Sequence, residues 1–195
     1  MKFLICKAKK GTIWAYIIPI SILAFFIFLI FLALFNLRVT SKSQLAQFIH
    51  RDITQLKNIL EKIDKECKIL SFDYQKNRIN FLNVPQKLPG SEVGPMNLAY
   101  PKNWKGPYLV DNPTYLNKEY LVVQTNDGYF ITPGEKVKLP NEKIIGKDII
   151  LNKEANISTM MTQPDKLMFK NQPLAVKLNI KATAKPAPLP LNLLQ

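Results

Sequence analysis

From Thr12 to Leu37 apolar residues follow one another with no charge among them. The run holds 17 Leu, Ile and Phe residues, together favouring transfer into a bilayer by about 7 kcal/mol. As a helix its 26 residues would extend about 39 Å, enough to cross a hydrocarbon core of about 30 Å with some tilt. From Leu45 the pattern changes to a stripe: Leu45, Ile49, Ile53, Leu56, Leu60, Ile63, Cys67 and Leu70 recur at steps of three and four, with charged residues between them. That spacing predicts an amphipathic helix with one apolar face. Glu61 with Lys65 and Asp64 with Lys68 have i,i+4 spacing on its polar side. No proline or glycine lies between Ser21 and Asn83, so one helix is expected from about Thr12 to Ile69.

Beyond Leu70 the helical period is lost. Prolines 85, 89, 95, 101, 107 and 113 with glycines 90, 94 and 106 predict a long ordered loop over 83–114. Tyr120–Thr125, Asn126-Asp127-Gly128 and Tyr129–Thr132 read as strand, tight turn and strand. Val137–Leu139 and Lys143–Ile145 repeat the pattern more weakly, and Lys147–Leu151 is a further strand candidate. From Pro164 periodicity fades, and the Pro, Ala and Lys residues of 181–190 suggest a polyproline-like tail. The expected organisation is a leader (1–11), a transmembrane helix (12–37), a helical stem (38–70), a small outer β-rich domain (71–163) and a flexible tail (164–195). The fold class is α+β: a single-pass membrane helix continuous with a long amphipathic helix, then a small antiparallel sheet.

Charge gives the orientation. Lys2, Lys7, Lys9 and Lys10 precede the apolar run without an acid, while Arg38 and Lys42 follow it, a modest bias toward a cytoplasmic amino terminus. The chain is then placed in the inner (cytoplasmic) membrane, its C-terminal part periplasmic or extracellular, in contact with membrane lipid. The formal net charge is +13, but it is spread along the chain instead of gathered on one element, which points away from nucleic acid. Cys6 and Cys67 fall on opposite sides of the membrane in this topology and cannot pair within one chain; Cys67 reads as a small seam residue. His50 is the only histidine and reads as a polar-face helix residue. No catalytic or metal-binding motif is found, so neither an enzyme nor a cofactor is expected.

The order of parts resembles a type IV pilin-like protein. Lys10-Gly11 ends a short basic leader, and Trp104-Lys105-Gly106-Pro107-Tyr108-Leu109 is similar to the W-x-G-P-Y-L segment of type II secretion pseudopilins. The resemblance implies cleavage after Gly11 by a prepilin peptidase, with Lys10, Gly11 and Thr12 forming the processing site. It also implies assembly with copies of itself or related subunits through the membrane helix. Where family members carry Phe or Met at the first mature position and Glu at the fifth, this chain has Thr12 and Tyr16, which fits a tip or initiating subunit or a repurposed anchor. Calcium enters only through the resemblance, and the segment that would supply its loop has no counterpart here. The oligomer seam is expected at Ile49, Ile53, Leu56, Leu60, Ile63, Cys67 and Leu70, unless that stripe packs against the chain's own sheet. Trp104, Gly106, Pro107 and Tyr108 are expected to anchor the long loop. The leading expectation is a structural subunit of a type II secretion or type IV pilus-like apparatus. The alternatives are an uncleaved bitopic interaction protein with a coiled-coil stem and, less favoured, a DNA-binding uptake pilin.

Overall fold

A computed structural model of the chain describes residues 10–86 and 92–180. A single helix, α1, runs Lys10–Cys67, ending two residues short of the expected Ile69. The chain divides between Ser41 and Lys42. Before that point the described chain is helix alone. Its large apolar side chains from Ile17 to Leu37 are all exposed, in a segment long and apolar enough to cross a membrane. Pro19 lies inside this helix and withholds one backbone donor. The Ser21 hydroxyl donates to the Ile18 carbonyl at 2.8 Å, which keeps it from standing unpaired in an apolar run.

From Lys42 onward the helix has one covered face. Ala46, Ile49, Ile53, Leu56, Leu60, Ile63 and Cys67 are buried in a single cluster with Phe81, Tyr120, Val122 and Phe130, each Ile or Leu contributing about 1.5–3 kcal/mol. The helix stops through its own side chains. Lys68 turns left-handed (φ 53°), its N–H reaches the Asp64 carbonyl, and the Asp64 carboxylate accepts the Ile69 N–H at 3.0 Å. This is a helix-terminating motif with lysine where glycine is usual. It takes Lys68 off the helix, so the expected Asp64–Lys68 pair does not form. Glu61 likewise pairs with Lys57 at 3.7 Å and accepts the Asn179 N–H, not Lys65.

The strands are short and entirely antiparallel. β1 (Ile69–Phe72), β3 (Glu92–Val93) and β4 (Met96–Leu98) form one sheet in the order β1-β4-β3. β2 (Lys76–Arg78), β7 (Leu121–Thr125), β8 (Gly128–Thr132) and β11 (Val176–Leu178) form a second in the order β11-β8-β7-β2. β5 (Thr114–Tyr115) with β6 (Lys118–Glu119), and β9 (Met168–Phe169) with β10 (Gln172–Pro173), are small hairpins. The expected hairpin over 120–132 is β7–β8, and Gly128 supplies its left-handed residue (φ 121°). A one-turn helix, α2 (Ile157–Met160), is capped by the Asn156 side chain.

Several expectations are corrected. The 83–114 loop contains β3 and β4, because Val93, Met96 and Leu98 supply buried apolar positions between the prolines. Val137–Ile145 is reduced to an isolated bridge, and Lys147–Leu151 to another at Ile149. Most significantly, 164–180 is not a tail. Leu167, Leu174, Ala175 and Leu178 are buried, and β11 forms the edge of the second sheet beside β8. The Asn141 amide donates to the carbonyls of Pro164 (3.1 Å) and Lys166 (2.7 Å), tying this segment down. The outer domain therefore includes 164–180 and the helix from Lys42. Residues 181–195 lie outside the described residues.

Candidate functional site

The residues around Trp104 strap the loop after β4 against the end of α1. After β4, Ala99 and Tyr100 donate to the carbonyls of Lys68 and Cys67, and the Asn103 amide donates to Glu66 O at 3.0 Å. The last carbonyls of α1 are thus satisfied by the loop that follows it. Trp104 is buried, its indole N–H donates to Val84 O at 3.1 Å, and its ring meets Tyr108 edge to face at 4.8 Å. The Gly106–Pro107 peptide is cis. A Cβ on Gly106 would stand 2.3 Å from both the Trp104 indole nitrogen and Val84 O, so no larger residue fits. Tyr108 and Leu109 then donate backbone N–H groups to Leu82 O. The structure thus brings Trp104, Gly106, Pro107 and Tyr108 together over 82–84.

Glu66, absent from the expected site, ties this strap to α1. Its carboxylate accepts the Tyr108 hydroxyl and the Lys105 ammonium, each at 3.3 Å, and the Lys62 ammonium lies 5.7 Å from the Tyr108 ring centre. Burial, with a smaller contribution from Glu66, pushes the Tyr108 phenol up to about 12. Cys67 is fully buried, and burial followed by Glu66 raises its thiol. A second link joins helix to sheet at mid-stem. The buried Tyr120 hydroxyl donates to Asp52 Oδ2 at 3.0 Å, Arg51 flanks that carboxylate at 3.2 Å, and burial and then Asp52 raise the Tyr120 phenol. The signal for both acids was their position: Asp52 and Glu66 each sit beside a seam residue, where a side chain reaches the domain edge.

The expected oligomer seam is corrected. Ile49, Ile53, Leu56, Leu60, Ile63 and Cys67 are at 0% exposure within this chain, so another subunit reaches them only by opening the core. Leu70 belongs to β1 and is 41% exposed; it is off the helix. The stem's outward strip is different. Arg51, Gln55, Asn58, Ile59, Lys62 and Tyr108 line a shallow depression of about 540 Å³, and Arg51 lies over the ring of exposed Phe48 at 5.2 Å. Lys10, Gly11 and Thr12 form the first turn of α1; the rest of the leader, 1–9, lies outside the described residues. His50 Nδ1 lies 3.3 Å from Pro173 O, a helix-to-hairpin contact. Among the described residues no three His, Cys, Asp or Glu side chains are grouped to hold a metal.

No family model, curated protein or solved structure matches this chain. The polar contacts of the strap and of Asp52 join α1 to the sheets, and what faces outward is an apolar helix surface from Ile17 to Leu37 together with a polar strip on the stem.

Proposed function

We propose that the chain is a membrane-anchored, pilin-like structural subunit of an envelope secretion or pilus-like apparatus, assembling through its N-terminal helix. The observation that carries this reading is the division of labour along α1. The stem's apolar face is used up inside the chain's own domain, while the 17–37 surface is apolar on every side and exposed. A helix apolar all round requires hydrocarbon or other helices as its solvent. Packing of these helices against one another in lipid would build the assembly, with Phe48 and its polar neighbours as lateral contacts. The Trp104–Tyr108 strap supports the same reading through its likeness to the pseudopilin segment. In this reading the protein resides in the inner membrane with its domain outside the cytoplasm.

Tyr16, standing where pilin-like proteins carry the glutamate that pairs with a neighbour's amino terminus, favours a second reading: an uncleaved bitopic anchor. The deciding measurement is the intact mass and N-terminal sequence of the protein recovered from its native membrane. A chain beginning at Thr12 and heavier by one methyl group is expected for a processed subunit. A chain beginning at Met1 would overturn processing and leave the anchor reading.

A further inference from the structure

β2 is an edge of the second sheet, and no further strand pairs with its outer side among the described residues. Ile79 N–H donates to Tyr120 O and Gln124 N–H to Gln75 O, and the register pairs Lys76 with Val123 and Arg78 with Leu121. In an antiparallel ladder the residues between hydrogen-bonded pairs turn their N–H and C=O groups the other way. Lys76 and Arg78 therefore present their backbone groups outward, and no partner for these groups is found among the described residues. A hollow lies on each flank of this edge. One of about 680 Å³ is bounded by Lys118 of β6 and by Gly134 and Lys136. The other, of about 470 Å³, is bounded by Asp73, Gly94 and Pro95. Lys76 and Arg78 line both.

The larger hollow is cationic, with four basic and two acidic residues in its lining. Lys76 pairs with Glu135 and Arg78 with Glu119, while Lys118 and Lys136 have no carboxylate partner among the described residues. Leu116, Asn117 and Lys136 hold positive φ values of 51°, 57° and 60°, and Leu116 is exposed at its hairpin tip. Positive φ at Leu116 and Asn117 is what the two-residue turn between β5 and β6 requires. At Gly134 a Cβ would stand 2.6 Å from Glu119 O, so the two walls meet there.

We infer that the open edge of β2 takes up an extended acidic segment of a partner protein as an added strand, its carboxylates meeting Lys118 and Lys136. Strand addition supplies main-chain hydrogen bonds, and pockets for alternate side chains supply selectivity. Charge selects the occupant. A second copy's β2 edge would set Lys76 and Arg78 against their like, which is repulsive. DNA has no amide backbone with which to continue the ladder along β2. A peptide alternating carboxylates with neutral residues meets neither objection.

The test uses the full chain in neutral detergent micelles and a fluorescein-labelled octapeptide of alternating Glu and Thr, with binding read by anisotropy at low salt. Saturable binding is expected, with Kd raised at least tenfold for Lys118→Gln/Lys136→Asn and unchanged for the control Lys147→Gln/Lys153→Gln. The same peptide N-methylated at every residue keeps its charge, loses its donors, and is expected to bind at least tenfold more weakly. Equal binding of the methylated peptide, equal loss in the control variant, or an oligothymidylate of matched charge binding as tightly would each overturn the proposal, as would no binding at all.

Discussion

Leu56→Ala separates a stem face that belongs to the chain's own core from one reserved for other subunits. Leu56 is fully buried at the centre of the α1 face that meets the sheets. Truncation there removes three carbons from a packed site and leaves a cavity, at a cost of about 2–5 kcal/mol. Against a typical total of about 5–15 kcal/mol, that is a large fraction. For a chain of this size each kcal/mol lowers the melting temperature by about 2–4 °C, so a drop of about 4–20 °C is expected. The assay is thermal unfolding of the full chain in detergent micelles, followed by near-ultraviolet circular dichroism at two protein concentrations tenfold apart. Leu45→Ala, at a half-exposed position of the same helix, serves as the comparison and is expected to shift the midpoint far less. If the face is internal, the Leu56→Ala loss is the same at both concentrations. A loss that appears only as a change in the concentration dependence, or no loss at all, would mean that the face is completed by another subunit.

Gly106→Ala is expected to destabilise by about 2 kcal/mol or more, because the new methyl group overpacks against the indole and Val84 O; near-ultraviolet dichroism of Trp104 and the melting midpoint check this together. The folded-state pKa values of Tyr108 and Tyr120 are raised, so their neutral forms support the fold below about pH 10. That support is lost as pH rises toward and beyond about 12, and Tyr108→Phe is expected to flatten the alkaline fall in stability measured by pH-dependent denaturation. Tyr120→Phe at neutral pH leaves the Asp52 carboxylate without its buried donor and is expected to cost about 1.5–3 kcal/mol in urea unfolding. In a Cys6→Ser background, maleimide labelling of Cys67 is expected only at the rate of global opening, since the thiol is fully buried; rapid labelling of the folded protein would contradict the packing of the seam.

The long-period features were legible in the sequence and the short ones were not. The uncharged run and the three-four stripe are set by one rule each, so α1 was readable, its C-terminal end to within two residues. The β7–β8 hairpin was readable because Gly128 marks its turn. Of the other three hairpins, β5–β6 and β9–β10 escaped because their turns, Leu116-Asn117 and Lys170-Asn171, are held at positive φ without a glycine. The Gly94-Pro95 turn of β3–β4 lay among the prolines and glycines that read as loop. The segment after Pro164 lacked any period because Leu167, Leu174 and Ala175 lie outside regular elements, while Leu178 sits in β11, a strand of three residues that is too short to show alternation. The Trp104 strap was legible as an aromatic cluster, but its tie to α1 through Glu66 was not, since the two are separated by 38 positions in the chain. The stripe itself was compatible with two partners, and periodicity carries no information about which chain supplies the covering surface.

That ambiguity bears on where assembly energy is available. A helix with one apolar stripe has one surface to bury, and α1 spends its stripe on Ile79, Phe81, Val122, Phe130 and their neighbours. What the stem has left is polar with isolated apolar members such as Phe48 and Ile59, a composition that suits contacts made and broken more readily than a core. The segment from Ile17 to Leu37 is of the opposite kind: bulky Ile, Leu and Phe with Ser21, Ala24 and Ala33 as its small residues. In lipid, helix association depends on close packing and not on escape from water, so bulky surfaces of this kind associate through van der Waals fit alone. Replacing Ala24 and Ala33 by Ile would then test whether the helices approach at those positions. Loss of self-association in bilayers, with the domain's melting midpoint unchanged, is the expected outcome. Unchanged self-association would overturn close approach of the helices at those positions.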